Sequence, residues 1–372
     1  MKNTNILFKA ISLSALALTY SPSAKAISPI IRSFDSVRAE GMGDVRYTTG
    51  IFEENFFGNP ARMTENPENL FQLPKFTIEA GSSSISELKS LLGAGGGLSS
   101  FTGAIGEPLS ARFQMIFPAY YNNHFITDQW TFAVGLVTGA QMVGQLSQTG
   151  NVTPNTIIDV GPAVTVARRL LPEDRLSVGI TAHTEFRATS GNAFSIIDFL
   201  NGKASTALKG GSGLGLDFDL GTTFLTHWGL GGFSYELGAA MNNVLGGAYD
   251  NMGMRIAGWN GNPTPSPRSV NFGLSARKSD LWKFKSFLIA LEFTDLGNNV
   301  NGSFFRTIHL GTEAQWHLIS VRAGMNQGYL SAGLGFNFKF FSINLATYGE
   351  EMGLNVGSLE DRRYALDFGF QI

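Results

Sequence analysis

The sequence predicts an all-β fold: a membrane β-barrel of about fourteen antiparallel strands with an N-terminal plug, or hatch, segment. Three observations carry this expectation. The first is alternation. Phe287, Ile289, Leu291 and Phe293 share one parity, with Ala290, Glu292 and Thr294 on the other. Ile308, Leu310, Ala314, Trp316 and Leu318 alternate with His309, Gly311, Glu313, Gln315 and His317, and Tyr364, Leu366, Phe368, Phe370 and Ile372 with Arg363, Ala365, Asp367, Gly369 and Gln371. Period two means strands with one oily and one polar face, the pattern of a wall between lipid and water. The second is an export signal with no apolar run of ~18 residues after it, so no transmembrane helix is expected. The third is composition: 45 Gly and 30 Phe suit tight turns, crowded lumens and lipid-facing girdles, while only 15% of residues are charged.

Residues 1–26 read as the signal peptide. Lys2 and Lys9 precede an apolar stretch from Ile11 to Tyr20, and Ala24-Lys25-Ala26 offers a small-x-small cleavage pattern. Export without apolar helices suits the outer membrane of a Gram-negative bacterium, because such helices would stop in the inner membrane. The sequence has no Cys, which removes disulfides and thiolate metal sites. A net charge of −2 gives no basic footprint for nucleic acid. No linker-like stretch divides the chain, so one large barrel is expected over 74–372.

Residues 27–73 do not alternate. They carry aromatics and turn chemistry, which favours a segment folded back as a plug over a disordered tail. Candidate strands follow near 74–82, 109–118, 129–141, 156–168, 175–188, 212–225, 231–244, 268–278, 284–296, 305–317, 319–326, 329–338, 340–348 and 363–372; twelve strands is the alternative. With a periplasmic N-terminus, the outward loops fall at 83–108, 142–155, 189–211 and 245–267, all long, and most intervening turns are short. On this register the lumen holds Glu79, Arg112, Asp159, His183, Glu185, Arg187, Glu292, Glu313, Arg322 and Asp367 among others. It also holds many glycines, leaving room for water, a plug or a ligand.

Gly41-Met42-Gly43, followed some fifteen residues later by Phe57-Gly58-Asn59-Pro60-Ala61, resembles the start of mature barrels in the FadL-type superfamily. That group includes hydrophobic-compound transporters, PorV-like barrels of type IX secretion and TraF-like plasmid-transfer proteins. Arg322-Ala323-Gly324 with Asn326, Gly333-Leu334-Gly335, and Glu350-Glu351-Met352-Gly353 before Asp361-Arg362-Arg363-Tyr364 are similar to the TraF-like and PorV-like members. The resemblance implies fourteen strands and a hatch inside the barrel containing Asn59-Pro60-Ala61. The family usually follows Gly-Met-Gly with small residues, whereas this chain has Asp44-Val45-Arg46-Tyr47.

The outer loops are apolar. Ile85, Leu88, Leu91 and Leu92 have roughly helical spacing after Ser84, an expected N-cap. Phe194, Ile196, Ile197, Phe199 and Leu200 mark the next such loop, and Met252, Met254, Ile256 and Trp259 a third. They form either a capture groove for a hydrophobic ligand or a lid packed on itself. Pro162, in mid-strand, either parts the wall for sideways exit or occupies a bulge or non-donating position. His309 and His317 lie eight residues apart, more than about 25 Å along a strand at about 3.3 Å per residue, so they cannot share a metal. His309 near Glu292 or Glu313, and His183 near Glu185, are chance pairs in a polar lumen, and no enzyme, cofactor or metal is expected. Asp217 and Asp219 are expected to bridge to Arg187 or Arg277 rather than hold a cation.

The expected function is binding or passive passage of hydrophobic small molecules. The alternative is a non-transporting barrel that docks a protein of a secretion, conjugation or surface apparatus; an open porin is disfavoured by the plug. Outer-membrane lipid is an expected partner, as is the barrel-assembly machinery through the C-terminal strand, whose alternation is intact.

Overall fold

The computed structural model describes residues 32–92, 105–147, 151–171, 175–195, 210–226, 229–249, 254–297 and 302–372; the expected signal peptide lies outside them. Fourteen long strands follow in order: β1 Leu70–Gly81, β2 Pro108–Asn122, β3 Trp130–Leu146, β4 Asn151–Arg169, β5 Leu176–Ser190, β6 Gly211–Thr226, β7 Ser234–Asn242, β8 Ser269–Leu281, β9 Phe284–Phe293, β10 Ile308–Trp316, β11 Ile319–Asn326, β12 Tyr329–Asn337, β13 Phe341–Glu351 and β14 Glu360–Gln371. Each pairs antiparallel with its neighbour in sequence. β14 returns to β1, with Phe76 opposite Phe368 and Glu79 opposite Ala365, so the sheet closes and exposes no long edge. A two-residue strand, Phe194–Ser195, adds to β4 at Asn151–Val152.

The alternation has the predicted sense. Phe368 is 37% exposed and Asp367 1%; Leu291 and Trp316 face out, while Glu292 is fully buried. Charges on the outward parity collect at the two ends of the barrel: Arg168, Lys278, Asp280 and Lys285 at one, Glu360 and Arg362 at the other. Between them the outward positions are apolar or uncharged, which is the condition for contact with hydrocarbon. One rim carries the short turns, among them Trp282–Lys283, His317–Leu318 and 338–340, while the opposite rim carries the longest connections, 82–107, 191–210 and 243–268.

Several boundaries move. β1 begins at Leu70 rather than 74, and absorbs Pro74 in a register irregularity between Gln72 and Lys75. The expected long loop 142–155 is mostly strand: β3 and β4 stay paired from Trp130–Arg168 to Leu146–Val152, so their backbone groups bond to each other above the wall. β9 stops at Phe293, two residues before Asp295 at φ 50°. β7 starts at Ser234, after a turn in which Gly231 and Gly232 take positive φ. The long-loop rim also has a tight hairpin at Gln327-Gly328, where both residues sit at positive φ, as a two-residue turn matched to strand twist requires.

Candidate functional site: the lumen and the segments inside it

Residues 32–66 pack against the inward-facing side of the wall. Helix α1, Val37–Gly41, is capped by Ser36, whose Oγ accepts from the Ala39 amide. Two 3-10 turns follow, Phe52–Asn55 and Pro60–Glu65, the second capped by Asn59 accepting from the Ala61 amide. Almost every residue from Phe34 to Asn66 is buried. Wall glycines stand where this segment's backbone passes. A Cβ on Gly333 would lie 3.0 Å from the Gly41 Cα, and Gly311 and Gly324 face the Met42–Gly43 backbone with no room for a side chain. Gly179 and Gly221 meet Pro60, and Gly238 meets Tyr47 and Thr48.

Polar side chains fix the same segment. Glu292 accepts from three successive amides, Arg46 (2.7 Å), Tyr47 (3.0 Å) and Thr48 (2.7 Å), and from the Thr48 hydroxyl (2.8 Å). Arg38 bridges Glu54 of the segment (3.0 Å) and Glu313 of the wall (2.9 Å), and Arg322 also reaches Glu313 (2.6 Å). Asp35 meets Arg112 (2.5 Å) and Arg46 (2.8 Å), while Arg32 meets Asp44 (2.7 Å). Arg62 pairs with Glu236, and Lys75 with Glu53. Buried charges are tolerable only when paired in this way. The unusual Asp44-Val45-Arg46-Tyr47 run is thereby explained: Asp44 and Arg46 pair with each other, and Val45 packs with Met42, Leu288 and Ala290. Glu40 is held less closely: Arg32 (3.6 Å) and Arg46 (3.8 Å) stand near it, but neither carboxylate oxygen has a hydrogen-bond partner. Burial first, then the charges of Asp44 and Asp35, push its pKa well up against the pull of Arg32 and Arg46. Asp35, Glu40 and Asp44 lie close enough to share an ion, but those two guanidiniums already supply the positive charge.

A second segment turns inward from the long-loop rim. Asp217 accepts from the amides of Leu245 (2.8 Å) and Gly247 (2.6 Å), and Asp219 from that of Asn243 (2.7 Å). These bonds bring Ala248 and Tyr249 against Gly213 and Gly215. Tyr249 donates to Glu185 (2.9 Å), and its ring carries the Arg187 guanidinium at 4.4 Å. Arg187 chelates Asp159 (2.7 Å to each oxygen) and donates to the Thr264 carbonyl, the Ser266 hydroxyl and the Ser33 hydroxyl. Wall, loop and N-terminal segment therefore meet at Arg187.

Beside that junction the lumen becomes apolar. Phe34, Phe56, Met63, Ile116, Tyr121, Val137, Ala163 and Ala167 form one buried cluster, with Phe52 and Phe57 packed on it. Phe57 stacks edge-on to His183. At this level the β4–β5 pairing runs to Val160–Phe186, lapses at Gly161 and Pro162, and resumes at Ala163–His183 in the same register. On its β3 side Pro162 stays opposite Leu136 in an unbroken ladder. There is thus no bulge; the missing N–H simply leaves two positions unpaired.

The predicted site residues fare unevenly. Gly41, Met42, Gly43, Phe57, Asn59, Pro60 and Ala61 come together in the internal segment. Residues 82–92 form helix α2, but it begins directly after β1, so Ser84 is not its N-cap; the Ser84 Oγ instead accepts from the Ser110 amide. The side chains of Leu88, Leu91, Leu92 and Phe194, and residues Ile196, Ile197, Phe199, Leu200 and Met252, lie outside the described residues. Met254 and Ile256 are exposed and Trp259 is half-buried. Asp217 and Asp219 hold loop amides rather than Arg187 or Arg277, because the loop brings unpaired N–H groups to them. His309 does not pair with Glu292 or Glu313: its ring nitrogens bond to the Thr294 hydroxyl and the Gly43 carbonyl, both at 2.9 Å. Sequence reasoning missed Tyr249 and Ser266, whose only signal was a polar stretch inside an apolar loop.

A closed fourteen-strand barrel with an apolar outer belt and a buried N-terminal segment defines the membrane β-barrel class. Within it, the chain is similar to the monoaromatic hydrocarbon channel CymD (TM-score 0.52, 12% identity, covering 94% of this chain and 98% of that one). It is similar also to a mutant of the TodX monoaromatic hydrocarbon channel (TM-score 0.53, 12% identity, 91% and 98%) and to the Pseudomonas putida toluene transporter TodX (TM-score 0.50, 13% identity, 94% and 97%). No protein-family model matches the sequence, and no curated protein matches it. The chain shares the fold of these hydrocarbon channels, in agreement with the resemblance drawn from its two ends.

Proposed function

We propose that the protein is an outer-membrane barrel that binds and passes hydrophobic small molecules. One observation carries this reading: an aromatic and aliphatic cluster inside an otherwise charged lumen, backed by the lapse in pairing at Gly161–Pro162. The Thr184 carbonyl lies against Gly161 there, so the wall is closed, and an apolar solute would leave for the bilayer only as these two unpaired positions part. Residues 32–66 serve as the hatch, with Gly41-Met42-Gly43 and Asn59-Pro60-Ala61 as its contacts with the wall. The outer loops, including Met254 and Trp259, serve as the capture surface. Similarity to channels for monoaromatic hydrocarbons supports the same solute class.

The test is uptake by proteoliposomes whose outer leaflet is lipopolysaccharide, which slows the apolar solutes that plain phospholipid lets through. Toluene is expected to exchange faster than through protein-free vesicles, while a small sugar is held out. Equal toluene rates with and without protein would overturn the reading, and rapid sugar passage would return the protein to the porins.

A further inference from the structure

The short-turn rim is not uniform around the barrel. On the arc from β8 to β13 it carries Lys278, Lys283, Lys285 and Lys339 against one acid, Asp280. Three of these amines sit over aromatic rings: Lys278 at 5.3 Å from Phe233, Lys283 at 5.2 Å from Trp282 and Lys339 at 5.2 Å from Phe340. The rings look outward. Trp282 is 81% exposed and Phe340 59%, and Trp316 stands between them at the end of β10. Elsewhere on this rim the turn after β2 differs, because Asp128 is exposed there and pairs with His124 at 3.1 Å.

Exposed rings at the end of an apolar belt sit at the level of lipid headgroups. A lysine stem lying along such a ring carries its ammonium to the same depth and keeps the charge in water. Four ammonium groups with one carboxylate then face the headgroup layer along a single arc. We propose that this arc binds the phosphates of anionic phospholipids, in the leaflet that the short, periplasmic turns meet. The proposal rests on the membrane-barrel reading and is independent of what the lumen carries. Zwitterionic lipid offers the same phosphate but cancels its charge, so charge complementarity selects the anionic class.

The protein is reconstituted in nanodiscs of phosphatidylcholine alone or mixed with phosphatidylglycerol. Its thermal midpoint is read by gel mobility, and retained lipid by native mass spectrometry. The wild type is expected to melt higher with phosphatidylglycerol and to retain it. A variant with Lys278→Gln, Lys283→Gln, Lys285→Gln and Lys339→Gln is expected to lose both effects while melting like wild type in phosphatidylcholine. Arg168→Gln, on another arc of the same rim, is expected to keep both. Should the fourfold variant fail to insert, Lys283→Gln with Lys339→Gln, both in turns, is read in the same way. An undiminished phosphatidylglycerol effect in the variant, or none in the wild type, overturns the proposal. So does salt-resistant retention of a periplasmic protein with no lipid preference. Toluene exchange in the same variant stays at the wild-type rate, so the lipid site and the transport reading fail separately.

Discussion

Among the described residues two parts of the chain enter the barrel, and they are held in different ways. Residues 32–66 are tied to strands on all sides of the lumen by buried ion pairs, by Glu292 and by backbone contacts at wall glycines. The described residues of loop 243–268 are held on one side, along β5 and β6, by Asp217, Asp219, Arg187 and the Tyr249 hydroxyl, by Ser212 and Thr189, and by a bridge between Gly211 and Gly261, while Leu245, Met254 and Ile256 remain exposed. Removing one partner of a buried ion pair costs about 3–5 kcal/mol, whereas a single hydrogen bond contributes about 0.5–1.5 kcal/mol net. The first segment is therefore part of the folded wall. The second is tied to one stretch of the wall and has part of its apolar surface in the open.

The sharpest way to break this contrast is to fill the space the inner segment uses. Gly324→Leu puts a side chain into the Met42–Gly43 backbone, and is expected to expel the segment at a cost of several kcal/mol while the strands stay closed. Limited trypsin digestion should then cut at Arg38 and Arg46, which are protected in the wild type, and ion conductance should rise. Continued protection would mean that the wall holds the segment without close contact at that glycine. Glu292→Ala comes next. It strands three buried amides at about 1–3 kcal/mol each, and the same digestion should show partial exposure.

A smaller effect is expected from Glu40. Its pKa is raised in the folded protein, so it is neutral there at pH values where the unfolded carboxyl is charged. Stability is thus fully present below the ordinary carboxylate value and falls as pH rises through the raised one. Glu40→Gln is expected to flatten the dependence of the thermal midpoint on pH across that window. An unchanged slope would show that Arg32 and Arg46 neutralise the site.

What the sequence discloses follows the same contrast. The wall was legible because one parity must be apolar along a strand, and the fourteen segments follow this with a change of parity where β1 meets β2, at Phe117-Pro118 in β2 and between Gln72 and Lys75 in β1. Strand ends were not, since beyond the bilayer the β3–β4 ribbon has no hydrocarbon to impose alternation. Wall glycines such as Gly324 and Gly333 announced an occupied lumen without naming the occupant. The pairs across the lumen, Asp217 with Leu245 and Gly247 or Tyr249 with Glu185, depend on a loop path that no local pattern encodes. Pro162 was visible as a missing donor, but only the register on both sides separates a gap from a bulge.

The loop offers the finer tests. Asp217→Ala removes the acceptor for the Leu245 and Gly247 amides, and is expected to free the 243–247 end of the loop at about 1–3 kcal/mol, with Ser212 and Thr189 still holding its far end and the thermal midpoint of the barrel unmoved. Conductance traces should then show brief openings absent from the wild type, with trypsin protection at Arg38 retained. Tyr249→Phe should do the same more weakly. It loses the bond to Glu185 but keeps the ring under Arg187, so only about 0.5–1.5 kcal/mol is at stake, more if Glu185 is left charged and underbonded. If the Tyr249→Phe variant flickers as often as the Asp217→Ala one, the junction at Arg187 holds the loop and the amide contacts only shape it. If it is silent, the Asp217 contacts hold the loop, and the tyrosine serves to pack Arg187 beside the apolar cluster.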